Sequence, residues 1–132
     1  MLSHSSGITG GSDYELPGTE CPPLEEVLAG KHSLHKAKLV REPGSSFEYS
    51  NQGFIILELL VEEVTGTGYD QYIEDLILDP LELDNTTYAH GIEVQSRLAI
   101  SYYLNGEPVP EHVYPFKTPG GLNSNAFSIS FI

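Results

Sequence analysis

From Phe54 to Val64 the sequence runs Phe-Ile-Ile-Leu-Glu-Leu-Leu-Val-Glu-Glu-Val, in which eight of eleven residues are apolar. A short apolar run fits a buried strand as well as a helix. Extended back to Asn51 and forward to Thr65, it outgrows an ordinary strand. Gly66-Thr67-Gly68 then stops it as a helix C-terminus is stopped. The run reads as a largely buried helix. Glu58 and Glu62, four residues apart, give it a narrow solvent-facing stripe. A second helix is expected from Thr67–Tyr69 to Pro80. In it Tyr69, Tyr72, Ile73, Leu76 and Ile77 fall at i, i+3, i+4, i+7 and i+8, a full amphipathic match. Asp70 suits its first turn, and Pro80 ends it. The glycine linker is so short that the two helices must pack together.

The flanking segments are less regular. Residues 3–20 are rich in Ser, Gly and Thr and read as loop. Cys21-Pro22-Pro23 introduces a short helix: Leu24, Val27 and Leu28 share a face, Glu25 and Glu26 occupy the first turn, and Gly30 ends it. Pro43-Gly44 is a turn signal. Arg97 to Leu104 is β-prone, and Asn105-Gly106 signals a hairpin. Pro108, Pro110, Pro115 and Pro119 make residues 107–121 irregular. Phe127 to Ile132 alternates apolar and polar residues as a strand does and would offer an uncovered apolar edge.

Composition excludes several functions. Six Lys and Arg against nineteen Asp and Glu give a net charge of −13. That is wrong for nucleic acid, which needs a basic face, and for an anionic membrane surface. The charge is uneven: residues 42–111 hold fourteen acids and one base, Arg97. An acidic surface of this kind serves solubility. Apolar residues make up 39% of the 132, enough for one ordinary domain. No apolar stretch approaches membrane-spanning length, and residues 1–8 lack the pattern of a signal peptide, so the chain as it stands is expected in the cytoplasm. Without a secretory signal, Asn85-Thr86-Thr87 carries no glycosylation assignment. The lone Cys21 rules out an internal disulfide framework. His4, His32, His35, His90 and His112 show no metal-ligand spacing, so no metal and no cofactor is expected.

Three short patterns invite chemistry. Tyr49-Ser50-Asn51 stands directly before the buried helix. A tyrosine can act as a general base when a nearby cation lowers its pKa, and an asparagine can hold a carbonyl or amide. The same tripeptide also serves as a helix cap through Ser50 or Asn51. Ser33-Leu34-His35-Lys36 spells S-x-x-K, the spacing that sets a lysine beside a nucleophilic serine, but it lacks a helical pattern around it. Lys117-Thr118-Pro119 resembles K-T-G superficially, and its proline lacks the N–H such a strand would use.

Taken in order, these residues resemble one family. Leu2-Ser3-His4-Ser5-Ser6-Gly7 is similar to the Leu-Leu-Ser-His-Thr-Ser-Gly segment of serine β-lactamase-like hydrolases. That group contains class C β-lactamases, related esterases and D-alanyl-D-alanine carboxypeptidase-like penicillin-binding proteins. Pro43-Gly44 and Phe47-Glu48-Tyr49-Ser50-Asn51-Gln52-Gly53-Phe54 resemble its Pro-Gly…Phe-x-Tyr-Ser-Asn-x-Gly-Tyr. Tyr72-Ile73, Asp79-Pro80-Leu81-Glu82-Leu83 and Thr86-Thr87 follow its Tyr-Ile…Pro-Leu-Gly-Met…Thr stretch. Pro119-Gly120-Gly121-Leu122-Asn123-Ser124 resembles its Gly-Gly-Leu-x-Ser. The matches span roughly residues 2–125.

The resemblance implies a mainly α fold, α+β overall. It would be the helical insert domain of a β-lactamase-like hydrolase, with short strands toward the C-terminus. Residues 1–132 would form one domain, with 1–20 loop-rich and 107–132 an irregular Pro- and Gly-rich tail. It implies Tyr49 as the general base that works with a lysine, and Asn51 as the substrate contact. Gly120 and Gly121 would have no bond-making role. The family's S-x-x-K precedes the Ser-His-x-Ser-Gly segment, whereas Ser33–Lys36 follows it. Its Lys/His-Thr/Ser-Gly strand comes after Gly-Gly-Leu-x-Ser. The expectation is therefore a truncated hydrolase fragment, inactive alone. The alternative is a non-catalytic binding or regulatory module for cell-wall peptide-like ligands. Expected partners are a small peptide or β-lactam-like ligand and a second copy docked through exposed surface. Many members of the family are exported.

Overall fold

The computed structural model describes residues 1–9, 23–31, 36–89, 94, 96–109 and 116–130. Cys21, His32, Ser33, His35, His90 and His112 lie outside the described residues. Regular structure among the described residues is almost wholly helical. Among the described residues, strand pairing is limited to three antiparallel bridges, Ile8 with Leu39, Thr87 with Asn123 and Tyr102 with Pro108.

Helix α1, Leu24–Leu28, forms where expected, with Leu24 and Val27 buried. Gly30 has φ +76° and turns the chain out of it. Helix α2 runs Asn51–Thr65. Ser50 caps it, its hydroxyl accepting the Gly53 N–H at 3.1 Å. Gly66 closes it in the left-handed conformation, φ 68°, its N–H returning to the Glu62 carbonyl. Glycine adopts that backbone without the Cβ clash other residues meet. Val27, Ile55, Leu24 and Phe116 form the core, with Leu28 and Leu59 packed against it. This core sits between α1 and α2 and is completed by a residue far along the chain.

The solvent-facing stripe expected on α2 is corrected. Glu58 is 2% exposed. It lies against the backbone at Lys117 and Thr118, a partner that periodicity cannot reveal. Helix α3, Tyr69–Ile73, starts on schedule and packs on α2. It then widens into a π-helical turn over Glu74–Leu78, with the Asp79 N–H bonded to the Glu74 carbonyl at 3.0 Å. The five-residue spacing shifts the apolar face by one position. Leu78 is buried at 4% exposure while Leu76 stands out at 58%; the expected face is corrected at Leu76, whereas Tyr69, Tyr72, Ile73 and Ile77 are half-buried.

The hairpin signal at Asn105-Gly106 gives a real turn. The Tyr103 N–H donates to the Glu107 carbonyl at 2.8 Å, the Val109 N–H donates to the Ser101 carbonyl at 2.8 Å, and Gly106 has φ +83°. The expected C-terminal strand is a second correction. Ala126–Ile129 forms the short helix α4. The Asn125 side chain caps it, accepting the Ser128 N–H at 2.8 Å. Ser128 is buried while Phe127 and Ile129 face outward, so the alternating pattern reports a helix start with its serine turned inward. No described helix is long and apolar enough to cross a membrane.

Candidate functional site

The site begins at the N-terminal end of α2. Capping falls to Ser50, which is 1% exposed. Besides accepting from Gly53, its hydroxyl donates to the Thr9 carbonyl at 2.9 Å. The Thr9 hydroxyl donates to Gln52 Oε1 at 2.8 Å and accepts the Lys38 N–H at 3.2 Å. The Thr9 N–H donates to the Lys38 carbonyl at 2.9 Å. Residues 7–9, 38–41 and the first turn of α2 are thereby one hydrogen-bonded unit.

Tyr49 immediately precedes this cap and is 61% exposed. Asn51, the first residue of α2, is half-buried. The two residues singled out by the Tyr-Ser-Asn pattern therefore stand on either side of a buried serine. His4, in the Leu2-Ser3-His4-Ser5-Ser6-Gly7 segment, lies against these residues. Its ring is 4.3 Å from the Tyr49 ring between centroids, tilted by 30°, and its Nδ1 accepts the Ser50 N–H at 3.1 Å. The signal available was its place in Leu-Ser-His-Ser-Ser-Gly. Arg41 pairs with Glu48 beside the same segment.

A second polar cluster lies farther along α2. Glu58 Oε2 accepts the Lys117 N–H at 2.8 Å, the Thr118 N–H at 2.8 Å and the Thr118 hydroxyl at 3.0 Å. Burial pushes the Glu58 carboxyl above the ordinary carboxylate range, the three donors pull it back in part, and Glu62 adds to the rise. Lys117 Nζ lies 3.3 Å from Asp70. Tyr69 and Tyr88 meet edge to face at 5.7 Å. Burial, first of all, raises both of their phenol pKa values. The Lys117-Thr118-Pro119 segment is thus an anchored turn: its two N–H groups are committed to Glu58. The Gly121 N–H closes the turn on the Lys117 carbonyl at 2.8 Å. Of the S-x-x-K pattern only Lys36 is described; it is exposed, and its carbonyl lies 3.2 Å from the Thr9 hydroxyl. No group of three or more His, Cys, Asp or Glu able to hold a metal exists among the described residues.

Between the 37–43 segment and α2 lies a mostly apolar groove of about 500 Å³, lined by Met1, Ile8, Leu39, Pro43 and Ile56 among others.

The family model described as Beta-lactamase matches residues 1–128. The chain belongs to the beta-lactamase family. Among curated relatives, Protein flp of Staphylococcus aureus is 33% identical over 106 residues, covering 80% of this chain and 21% of flp. Among solved structures, the octameric penicillin-binding protein homologue from Pyrococcus abyssi superposes with TM-score 0.70 and 30% identity, covering 98% of this chain and 32% of that one. A class C beta lactamase gives TM-score 0.70 at 20% identity, with 97% and 34% covered, a likeness of fold. The chain thus spans about a fifth of flp and about a third of these solved relatives. The beta-lactamase-like expectation made from the ordered motifs holds for fold and family.

Proposed function

We propose that these residues carry the base and substrate-contact side of a beta-lactamase-like serine hydrolase site. Tyr49 serves as the general base, Asn51 holds the substrate's carbonyl or amide, and the chain alone does not form an acyl-enzyme. The observation that carries the reading is the arrangement at the start of α2. Ser50 does the capping, Tyr49 stands exposed beside it, and Asn51 opens the helix. Without a nucleophile poised next to it, a tyrosine supplies no covalent catalysis. Lys117 and Thr118 direct their backbone N–H groups to Glu58, which leaves neither for an oxyanion. The expected result is no stoichiometric acylation by a labelled β-lactam and no turnover of nitrocefin or short esters. Serine-specific acylation seen by mass spectrometry overturns the reading. Ser33→Ala tests whether any turnover that is seen runs through Ser33–Lys36.

A second reading is a non-catalytic binding module for cell-wall peptide-like ligands, favoured by the groove between the 37–43 segment and Ile56 of α2. Saturable binding of D-alanyl-D-alanine, weakened by Asn51→Ala, supports it, and absence of binding removes it. Under either reading the exposed Leu39, Val40 and Phe47 favour self-association. A strictly monomeric species in light scattering at high concentration counts against that.

A further inference from the structure

His4 touches the chain on both sides of Tyr49. Its carbonyl accepts the Glu48 N–H at 2.8 Å, and its Nδ1 accepts the Ser50 N–H at 3.1 Å. Its ring covers that of Tyr49, with Phe54 and Phe47 closing in at 5.2 and 5.7 Å between centroids. An imidazole nitrogen that accepts a hydrogen bond carries no proton, so the ring's proton resides on Nε2. His4 also has a left-handed backbone, φ 53°, which few residues other than glycine adopt; His and Asn are among them. Its own N–H is fixed to the Met1 carbonyl at 2.8 Å. A residue held outside the common wells persists where its surroundings over-determine it, and such residues cluster at functional sites.

We propose that His4 is the positioning residue for Tyr49. It fixes the backbone before and after Tyr49 and lays a flat surface under the ring, so that the phenol leaves the start of α2 in one direction. This rests on the reading of Tyr49 as the base. A base acts only within hydrogen-bond reach of the proton it takes, and a misplacement of about 1 Å costs on the order of 100-fold in rate. Tyr49 is exposed, so the rest of the fold does little to hold it.

The experiment uses isotope-labelled protein, wild type, His4→Ala and His4→Asn, followed by NMR. Wild type is expected to show scalar coupling across the Ser50 N–H to His4 Nδ1 hydrogen bond and one Tyr49 χ1 rotamer. In His4→Ala, the Ser50 amide should exchange about tenfold faster or more, and Tyr49 should average its rotamers. Asparagine tolerates the left-handed backbone and offers a carbonyl acceptor. His4→Asn should therefore keep Ser50 protected while the Tyr49 ring signals lose the imidazole's influence. Absence of the coupling in wild type overturns the proposal. So does an unchanged Ser50 amide and Tyr49 rotamer in His4→Ala, or an Asn variant no better than Ala. Should His4→Ala not fold, the wild-type coupling and His4→Asn decide. None of these readouts uses a ligand, so failure of dipeptide binding or of the base role leaves them standing and is seen separately.

Discussion

Glu58 takes both the backbone N–H and the hydroxyl of Thr118 on a single carboxylate oxygen, at 2.8 and 3.0 Å. The Lys117 N–H joins them on the same atom. One buried acid on α2 thereby seats the turn that follows Phe116, itself part of the core. Glu58→Ala leaves three donors without their partner. An unsatisfied buried donor costs about 1–3 kcal/mol, and the turn can relax toward water, so a total loss of roughly 2–3 kcal/mol is expected. Urea denaturation measures it; a loss below about 0.5 kcal/mol would show that the clamp carries no stability.

The same residue sets a pH dependence. Burial raises the Glu58 carboxyl above its ordinary range, so the folded state binds this proton more tightly than the unfolded state. The resulting stabilisation is fully present below the ordinary carboxylate pKa and is lost as pH rises through the raised value. Glu58→Gln keeps an acceptor and removes the charge. Its stability curve should therefore lie flatter than wild type over that window and gain on it toward neutral pH. Parallel curves for the two proteins, from thermal melts at several pH values, would contradict this.

Much of the fold could be read from local signals, and what could not depends on distant partners. The limits of α2 follow from Ser50, whose hydroxyl caps Gly53, and from Gly66, which turns left-handed. Both act within four residues of their partners. Glu58 reads as solvent-facing because its spacing to Glu62 is that of a wet stripe, while its acceptor role depends on a turn sixty residues on. A lone acid between Leu57 and Leu59 was the available hint. In place of the C-terminal strand a helix starts on the Asn125 cap at 2.8 Å and buries Ser128, neither of which an alternating pattern distinguishes from a strand. Tyr49 and Asn51 are visible as a motif, whereas the contact of His4 with Tyr49 depends on bonds between residues 4–5 and residues 44–50, which no local pattern shows.

The turn itself offers a paired test at adjacent glycines. A Cβ on Gly121 would lie 2.9 Å from both the Lys117 Cα and carbonyl oxygen, whereas one on Gly120 meets nothing within 4 Å. Backbone atoms cannot rotate aside as a side chain can. Gly121→Ala should cost about 1–3 kcal/mol through overpacking, and Gly120→Ala less than about 0.5 kcal/mol. Equal effects in urea melts would place the close approach elsewhere.

The π-helical turn moves the inward position that periodicity assigns to Leu76. A regular helix from Tyr69 would bury Leu76 with Tyr72 and Ile73, four and three residues earlier. The extra residue in the turn over Glu74–Leu78 moves the inward position to Leu78, at 4% exposure, and leaves Leu76 at 58%. The Leu83 N–H bonds the Leu78 carbonyl at 2.9 Å, so the wide turn also fixes how the chain leaves the helix. Leu78→Ala removes a buried side chain and should cost about 2–4 kcal/mol, transfer and cavity together. Leu76→Ala should stay within about 0.5 kcal/mol of wild type. The difference between the two, read from denaturation midpoints at equal slope, reports the register directly. A larger loss at Leu76 than at Leu78 would mean that this segment is an ordinary α-helix in solution.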